Sequence, residues 1–321
     1  MFYSLKSEKS LKKEINEYMK VGESDFMKRK IIIYTLVLIL IVSIIVFLSL
    51  KGRNQNREET KKTDTFIENI PIGNASNLIN EDEMLNVENV LKHSKIDNID
   101  VLISWIKEFN KEPYQNTGMV NKWTKYNVIK YNEAELANRW EKNHEQSDSD
   151  CRMTAFLLLK DHLKMNQTIK DYGSYLMFDM DAIDNNKDYE VLKANRNDFI
   201  TLFNEIDVKD LSKEEIKAAY NKKWKEYGIS MKESNASLIT VIMHDNYDNV
   251  AFLGHAGVLI DLKGKLLFIE KIAFEQPYQV TVLESREELK NMLFSRKTYF
   301  GDKTEEGPFI YENDKLLYSY K

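Results

Sequence analysis

Residues 249–271 read NVAFLGHAGVLIDLKGKLLFIEK, two apolar runs joined by a short polar loop. The alternation and the short loop predict a β-hairpin with His255 in its first strand and Glu270 in its second. A two-residue loop would place Glu270 opposite Gly257 and diagonally from His255, on the same face and within reach of the imidazole. A three-residue loop would turn Glu270 to the other face, so the prediction depends on the register.

The only cysteine of the chain, Cys151, lies in residues 147–160, which read SDSDCRMTAFLLLK. Serine and aspartate are favoured N-cap residues, and the apolar run after them predicts a buried helix that begins at about Cys151. A thiol in the first turn lies at the positive end of the helix dipole, so we expect its pKa to be lowered. The alternative roles are a small buried apolar side chain for Cys151 and a structural residue for His255.

A cysteine at a helix start, with a histidine and a carboxylate on later strands, supplies the components of a thiol hydrolase. In this interpretation Cys151 is the nucleophile, His255 is the general base, and Glu270 orients the imidazole and raises its pKa. Backbone N–H groups at the helix start would receive the oxyanion. Asp261 and Gln276 are the alternatives to Glu270. The rival interpretation is a catalytically silent surface binding or scaffold domain in which Cys151 is merely buried.

Asp150-Cys151 opening an apolar helix, then His255-x-Gly in a strand and a polar residue in the next strand, resembles the papain-like fold of bacterial cell-wall amidases and endopeptidases. The resemblance covers residues 145–275 and implies a cysteine amidase or peptidase that acts on peptides or peptidoglycan. That group commonly has His, Asn or Gln as its third residue, so Glu270 departs from the pattern. The whole ectodomain also resembles an uncharacterised family of surface-anchored Gram-positive bacterial proteins, which implies no function.

Two further groups of polar residues are candidates for site roles. Asn143 and Gln146 precede the cysteine and could supply a side-chain oxyanion donor, although a solvated loop is the alternative. Asp179, Asp181 and Asp184 follow an Asp-x-Asp-x-x-Asp spacing that could hold a hard cation, but the spacing lacks the glycine and the closing glutamate of an EF-hand loop. Capping aspartates in a loop are the preferred interpretation, and we expect no metal and no cofactor.

Residues 31–50 contain no charged side chain, and their length as a helix matches a hydrocarbon core about 30 Å thick. They therefore predict a transmembrane helix, with a buried core helix or a cleavable signal peptide as alternatives. Basic residues before the span favour an inside N-terminus. The predicted order is a cytoplasmic tail (1–30), the span, a stalk (51–80) and an extracytoplasmic domain (81–321).

The composition bounds the remaining functions. The chain has 321 residues, 43% hydrophobic and 30% charged, which suffices for one sizeable domain with accessory segments. Lysine and arginine outnumber aspartate and glutamate on both sides of the predicted span. The main domain is therefore more acidic than the formal net charge of −5 implies. An acidic domain is a poor binder of nucleic acid. A single cysteine excludes an intramolecular disulfide.

Translation from Met27 rather than Met1 is an alternative start, and the sequence pattern predicts no particular oligomeric state.

The hydrophobic period changes from helical to alternating after Gly228. Helices followed by an antiparallel sheet predict an α+β domain. The predicted elements are two or three helices in 81–143 with Trp105, Trp123 and Trp140 in the core, two helices in 188–227, strands at 237–244, 250–261, 265–272 and 278–283, a short helix ending near 294, and a final strand at 316–320.

Overall fold

The computed structural model describes residues 13, 40–51, 69–143, 147–262, 264–301 and 304–320. The chain forms two units, Met1–Lys62 and Thr63–Lys321. In the first unit, residues 40–51 are helical and their apolar side chains are exposed. Among the described helices, none combines the length and the apolar character needed to cross a membrane. Residues 31–39 of the predicted span lie outside the described residues, so the span stays a prediction.

The first half of the second unit is mainly helical, as predicted, and side-chain caps fix where several of the helices start. Asn80 accepts the N–H groups of Asp82 and Glu83, and Ser212 and Glu215 form a reciprocal capping box. The α-helices are α1 (Glu81–His93), α2 (Ile99–Asn110), α3 (Glu133–Asn143), α4 (Cys151–Leu159), α5 (Met177–Asn185), α6 (Arg196–Phe203), α7 (Lys213–Tyr227) and α8 (Arg286–Phe294). Short 3-10 helices span Tyr126–Val128, Lys160–His162, Ser174–Leu176, Lys187–Asn195 and Lys297–Tyr299.

The strands are β1 (Asn74–Ser76), β2 (Thr124–Lys125), β3 (Leu163–Lys164), β4 (Ile206–Asp207), β5 (Ser230–Met231), β6 (Ala236–Asp245), β7 (Val250–Asp261), β8 (Leu266–Lys271), β9 (Tyr278–Leu283), β10 (Phe309–Glu312) and β11 (Lys315–Ser319). The main sheet has the order β11-β10-β6-β7-β8-β9-β1-β2, and β4 pairs with the start of β7. Its pairs are antiparallel. The α+β class is therefore confirmed.

Each face of the sheet packs against a different helix. In β8, Leu267 and Ile269 belong to the apolar cluster that contains the buried residues of α1, α2 and α4. Leu266 and Phe268 belong to a second cluster with Leu289 of α8. Because successive side chains of a strand point to opposite faces, these clusters define an α4 face and an α8 face.

One boundary and the burial of two tryptophans differ from the prediction. β1 pairs with β9 inside the sheet, and Leu78 is fully buried, so the packed domain begins before residue 81 and includes the end of the predicted stalk. A three-residue strand carries too little alternation to be distinguished from a linker. Of the three tryptophans expected in the core, Trp105 is buried, whereas Trp123 and Trp140 are half-buried.

Candidate functional site

The hairpin of β7 and β8 positions the predicted histidine and glutamate. The pairs between the two strands have the register of a two-residue loop, and the N–H of Leu262 donates to the carbonyl of Lys265 at 2.9 Å. The predicted register is thus confirmed. His255 pairs with a β6 residue of the α8-face cluster, and Glu270 follows Phe268 by two positions. Both side chains therefore extend from the α8 face.

His255 and Glu270 form a buried hydrogen bond. The Nε2 atom of His255 lies 2.6 Å from Oε2 of Glu270, and the two residues are 1% and 0% exposed. The predicted contact is confirmed. Because the carboxylate takes Nε2, the ring nitrogen left for proton transfer is Nδ1.

Arg296, in the segment after α8, completes this charge network. Its Nη1 and Nη2 atoms donate to the two carboxylate oxygens of Glu270 at 2.7 and 2.6 Å, and Nη1 also donates to the hydroxyl of Tyr299 at 2.8 Å. Gln279 of β9 donates to Glu270 at 3.3 Å. Arg296 was not predicted from the sequence, because no local spacing connects it to a glutamate 26 positions earlier in the chain.

The network sets the charge of the pair. Burial alone would raise the pKa of Glu270, but the Arg296 charge and the bonds from Arg296 and His255 outweigh it and lower that pKa to about 2. Burial lowers the pKa of His255, and the raising effect of Glu270 offsets this only in part. The predicted raising effect of Glu270 on the histidine pKa is therefore confirmed, but the net pKa lies below its usual value, since burial disfavours the imidazolium more than the carboxylate favours it.

Cys151 opens α4, as predicted, and its environment is anionic. The side chain of Asp150 caps the helix by accepting the N–H of Met153 at 2.9 Å. Burial and then the Asp150 charge raise the pKa of the thiol to about 12, against the lowering effects of Arg152 and of the Ala256 backbone. The predicted lowering of the thiol pKa is wrong, because burial and a neighbouring carboxylate exceed the effect of the helix dipole.

The thiol and the imidazole both lie beside the same part of β7. Helix α4 packs on the α4 face, whereas His255 extends from the α8 face. No hydrogen bond joins the Cys151 thiol to His255, two residues that both lie in the described part of the chain. The thiol does interact with the backbone of Ala256, next to His255. Pairing of β7 with β8 ends at Val258, so the two groups lie near the point where these strands separate.

A cleft of about 800 Å³ lies over the network. Gln279, Arg296 and Tyr299, which contact the His255–Glu270 pair, line it, together with Gly254 of β7. His255 and Glu270 themselves lie beneath this lining. A ligand in the cleft would therefore meet the outer members of the network first.

A family model described as Domain of unknown function (DUF4300) matches residues 74–317. The chain belongs to this family. No curated protein and no solved structure matches it. The DUF4300 match begins at the first residue of β1, in agreement with the position of that strand inside the sheet, and it includes Cys151, His255 and Glu270.

The other polar candidates in the DUF4300 domain have separate partners. The three aspartates of the Asp-x-Asp-x-x-Asp spacing bond to different groups: Asp179 to Arg152, Asp181 to Ser147 and Asn185, and Asp184 to Arg196. Within the described residues, no group of His, Cys, Asp and Glu side chains has an arrangement suited to a metal ion. Gln146 lies outside the described residues, as does the side chain of Asn143.

Proposed function

We propose that this protein is a membrane-anchored, extracytoplasmic thiol amidase or peptidase with a papain-like domain, in which Cys151, His255 and Glu270 act together. The observation that carries the proposal is the buried His255–Glu270 bond, held by Arg296 beneath a large cleft. A fixed carboxylate that leaves the second imidazole nitrogen free is the arrangement a general base requires.

In the proposed reaction, Nδ1 of His255 takes the proton of the Cys151 thiol while the sulfur attacks the carbonyl carbon of an amide. The N–H groups of the first turn of α4 receive the oxyanion. The amide C–N bond then breaks, His255 returns the proton to the leaving amine, and water hydrolyses the thioester to release the acid and restore the thiol. The high thiol pKa and low imidazole pKa favour a resting pair in which both groups are neutral, so His255 activates the thiol only with substrate present.

The proposed location and substrate class rest on other features. The uncharged residues 31–50 are suited to a membrane anchor, with the domain outside the cell. Peptides, including those of peptidoglycan, are the proposed substrates, because the Cys-helix and His-strand order resembles that of cell-wall amidases and endopeptidases.

The test is hydrolysis by the full-length protein in detergent, with short peptides and soluble peptidoglycan fragments as substrates and released amine as the readout. We expect Cys151→Ser and His255→Ala each to reduce turnover by at least about a thousandfold. His93→Ala, at an exposed histidine of α1, is the matched control and should keep full turnover. Undiminished turnover in Cys151→Ser would exclude covalent thiol catalysis.

A silent binding domain is the second candidate, and the burial of Cys151 without a hydrogen bond to His255 favours it. A peptide vinyl sulfone separates the two functions when labelling is followed by mass spectrometry. A catalytic thiol requires His255 for labelling, so His255→Ala should abolish the adduct at Cys151. A thiol that is merely accessible would be labelled equally in both proteins.

A further inference from the structure

The hydrogen bonds of Arg296 use only part of its guanidinium group. Glu270 occupies the end-on pair of donors, one N–H of Nη1 and one of Nη2, and Tyr299 takes the second N–H of Nη1. The remaining donors are the N–H of Nε and the second N–H of Nη2, which form the side-on fork of the guanidinium. Among the described residues, none accepts a hydrogen bond from either. A fork of this kind matches both oxygens of a carboxylate.

The other arginines with carboxylate partners show how this fork is normally used. Arg152, Arg196 and Arg286 each bind a carboxylate through Nε and Nη2. Arg296 alone among these four binds its carboxylate through Nη1 and Nη2. The orientation of Arg296 therefore leaves a second bidentate edge that the intramolecular partner does not occupy.

The position of Arg296 makes this second edge accessible. Its side chain is 19% exposed, whereas that of its partner Glu270 is 0% exposed, and Arg296 lines the cleft of about 800 Å³. The charged residues lining the cleft are Arg296, Lys297 and Glu133. Because Glu270 balances the charge of Arg296 from beneath, the attraction for an anionic group rests on the unused donors of the fork rather than on a net positive charge.

We propose that the side-on fork of Arg296 binds the terminal carboxylate of a peptide substrate, an inference that rests on the proposed function. Nη1 of Arg296 lies 3.4 Å from Nε2 of His255. An extended peptide residue spans about 3.3–3.6 Å. A substrate whose terminal carboxylate binds Arg296 therefore has the peptide bonds of its last few residues near the imidazole. The enzyme would thus cleave close to the C-terminus of its substrate, with water supplying the oxygen of the new acid and the leaving amine taking a proton.

The test measures binding rather than turnover, on the full-length Cys151→Ala protein in detergent. The probes are N-acetyl-alanyl-alanine with a free carboxylate, the same dipeptide as its C-terminal amide, and N-acetyl-aspartic acid α-amide, which carries only a side-chain carboxylate. Ligand-observed NMR gives the three dissociation constants. The free acid should bind about 10- to 100-fold more tightly than the amide, as expected for a charge-assisted bidentate contact.

Two variants test whether Arg296 or Lys297 causes the preference for the free acid over the amide. Arg296→Lys keeps the charge but lacks the fork, so the acid-to-amide ratio should fall to within about threefold of unity. Lys297→Met removes the other cation of the cleft and should leave most of the ratio intact. The ratio is the readout, because a purely structural role of Arg296 would weaken both probes equally. Circular dichroism verifies that each variant is folded.

Four outcomes would overturn the inference. Equal binding of acid and amide by the Cys151→Ala protein excludes a carboxylate site without use of any Arg296 variant. Collapse of the ratio in Lys297→Met shows that general charge, and not the fork, attracts the acid. Binding of the aspartyl probe as tightly as the terminal acid assigns the site to acidic side chains instead. Turnover with equal rates on acid and amide peptides would contradict this inference alone, whereas a carboxylate preference without turnover in the native protein would contradict only the proposed function.

Discussion

Two half-buried arginines of the candidate site, Arg296 and Arg152, differ in the number of carboxylates that they face. Arg296 binds a single carboxylate, Glu270, whose pKa falls to about 2. Arg152 lies 2.7 Å from Asp179 and 3.0 Å from Asp150, and burial together with the second carboxylate raises the pKa of Asp179. One arginine can offset the burial of one carboxylate, but it does not offset that of two. The imidazole side is therefore balanced in charge, whereas on the thiol side two carboxylates share one arginine.

The largest expected effect comes from removing Arg296, the cation that balances the charge of Glu270. Arg296→Met leaves Glu270 as a buried carboxylate without its cation, which should lower the free energy of unfolding by about 3–5 kcal/mol in denaturant titrations at pH 7. The matched control is Arg286→Met, which removes an equally bidentate arginine from Glu312 where the arginine side chain is 38% exposed. That loss should be about 0–1 kcal/mol. Equal losses in the two variants would show that Glu270 is not held as a buried anion.

A smaller effect should appear in the pH dependence of stability. The folded-state pKa of Glu270 is lowered from 4.5 to about 2, so its contribution to stability is complete above the unfolded-state pKa and is lost as the pH falls through about 2. That contribution is about 3 kcal/mol. The difference in unfolding free energy between the native protein and Glu270→Gln should therefore shrink by this order between pH 5 and pH 2. A difference that stays constant over this range would contradict the lowered pKa.

The hairpin shows what local sequence can determine. Its alternation and two-residue loop specify which residues pair, and that register alone places His255 beside Glu270. The start of α4 is equally local, because an aspartate before an apolar run supplies the capping oxygen. Both features depend on residues a few positions apart, and both were predicted correctly.

The electrostatics of the site depend on residues far apart in the chain. Arg296 binds Glu270, which lies 26 positions earlier in the chain, and Arg152 binds Asp179, which lies 27 positions later. Neither contact follows from a spacing, since packing of whole helices on the sheet creates it. The predicted lowering of the Cys151 pKa was wrong, and the net lowering of the His255 pKa was not predicted, for the same reason: the sequence shows the helix dipole and one neighbour, whereas burial by the whole domain is the larger effect.

The smallest expected effect tests the influence of the Asp150 carboxylate on the thiol. Asp150→Asn removes the charge that raises the pKa of Cys151, yet asparagine is as favourable an N-cap as aspartate, so the bond to the N–H of Met153 should persist. The thiol pKa should fall, and the alkylation rate with iodoacetamide at pH 8.5 should rise.

We expect an increase in that rate of about three- to tenfold, because a lower pKa raises the thiolate fraction but makes each thiolate a weaker nucleophile. Asp181→Asn is the control, since Asp181 bonds to Ser147 and Asn185 and should leave the rate unchanged. An unchanged rate in Asp150→Asn would mean that burial alone sets the thiol pKa. Arg152 would then have offset both of its carboxylates, and the contrast with Arg296 would rest on burial rather than on the number of charges.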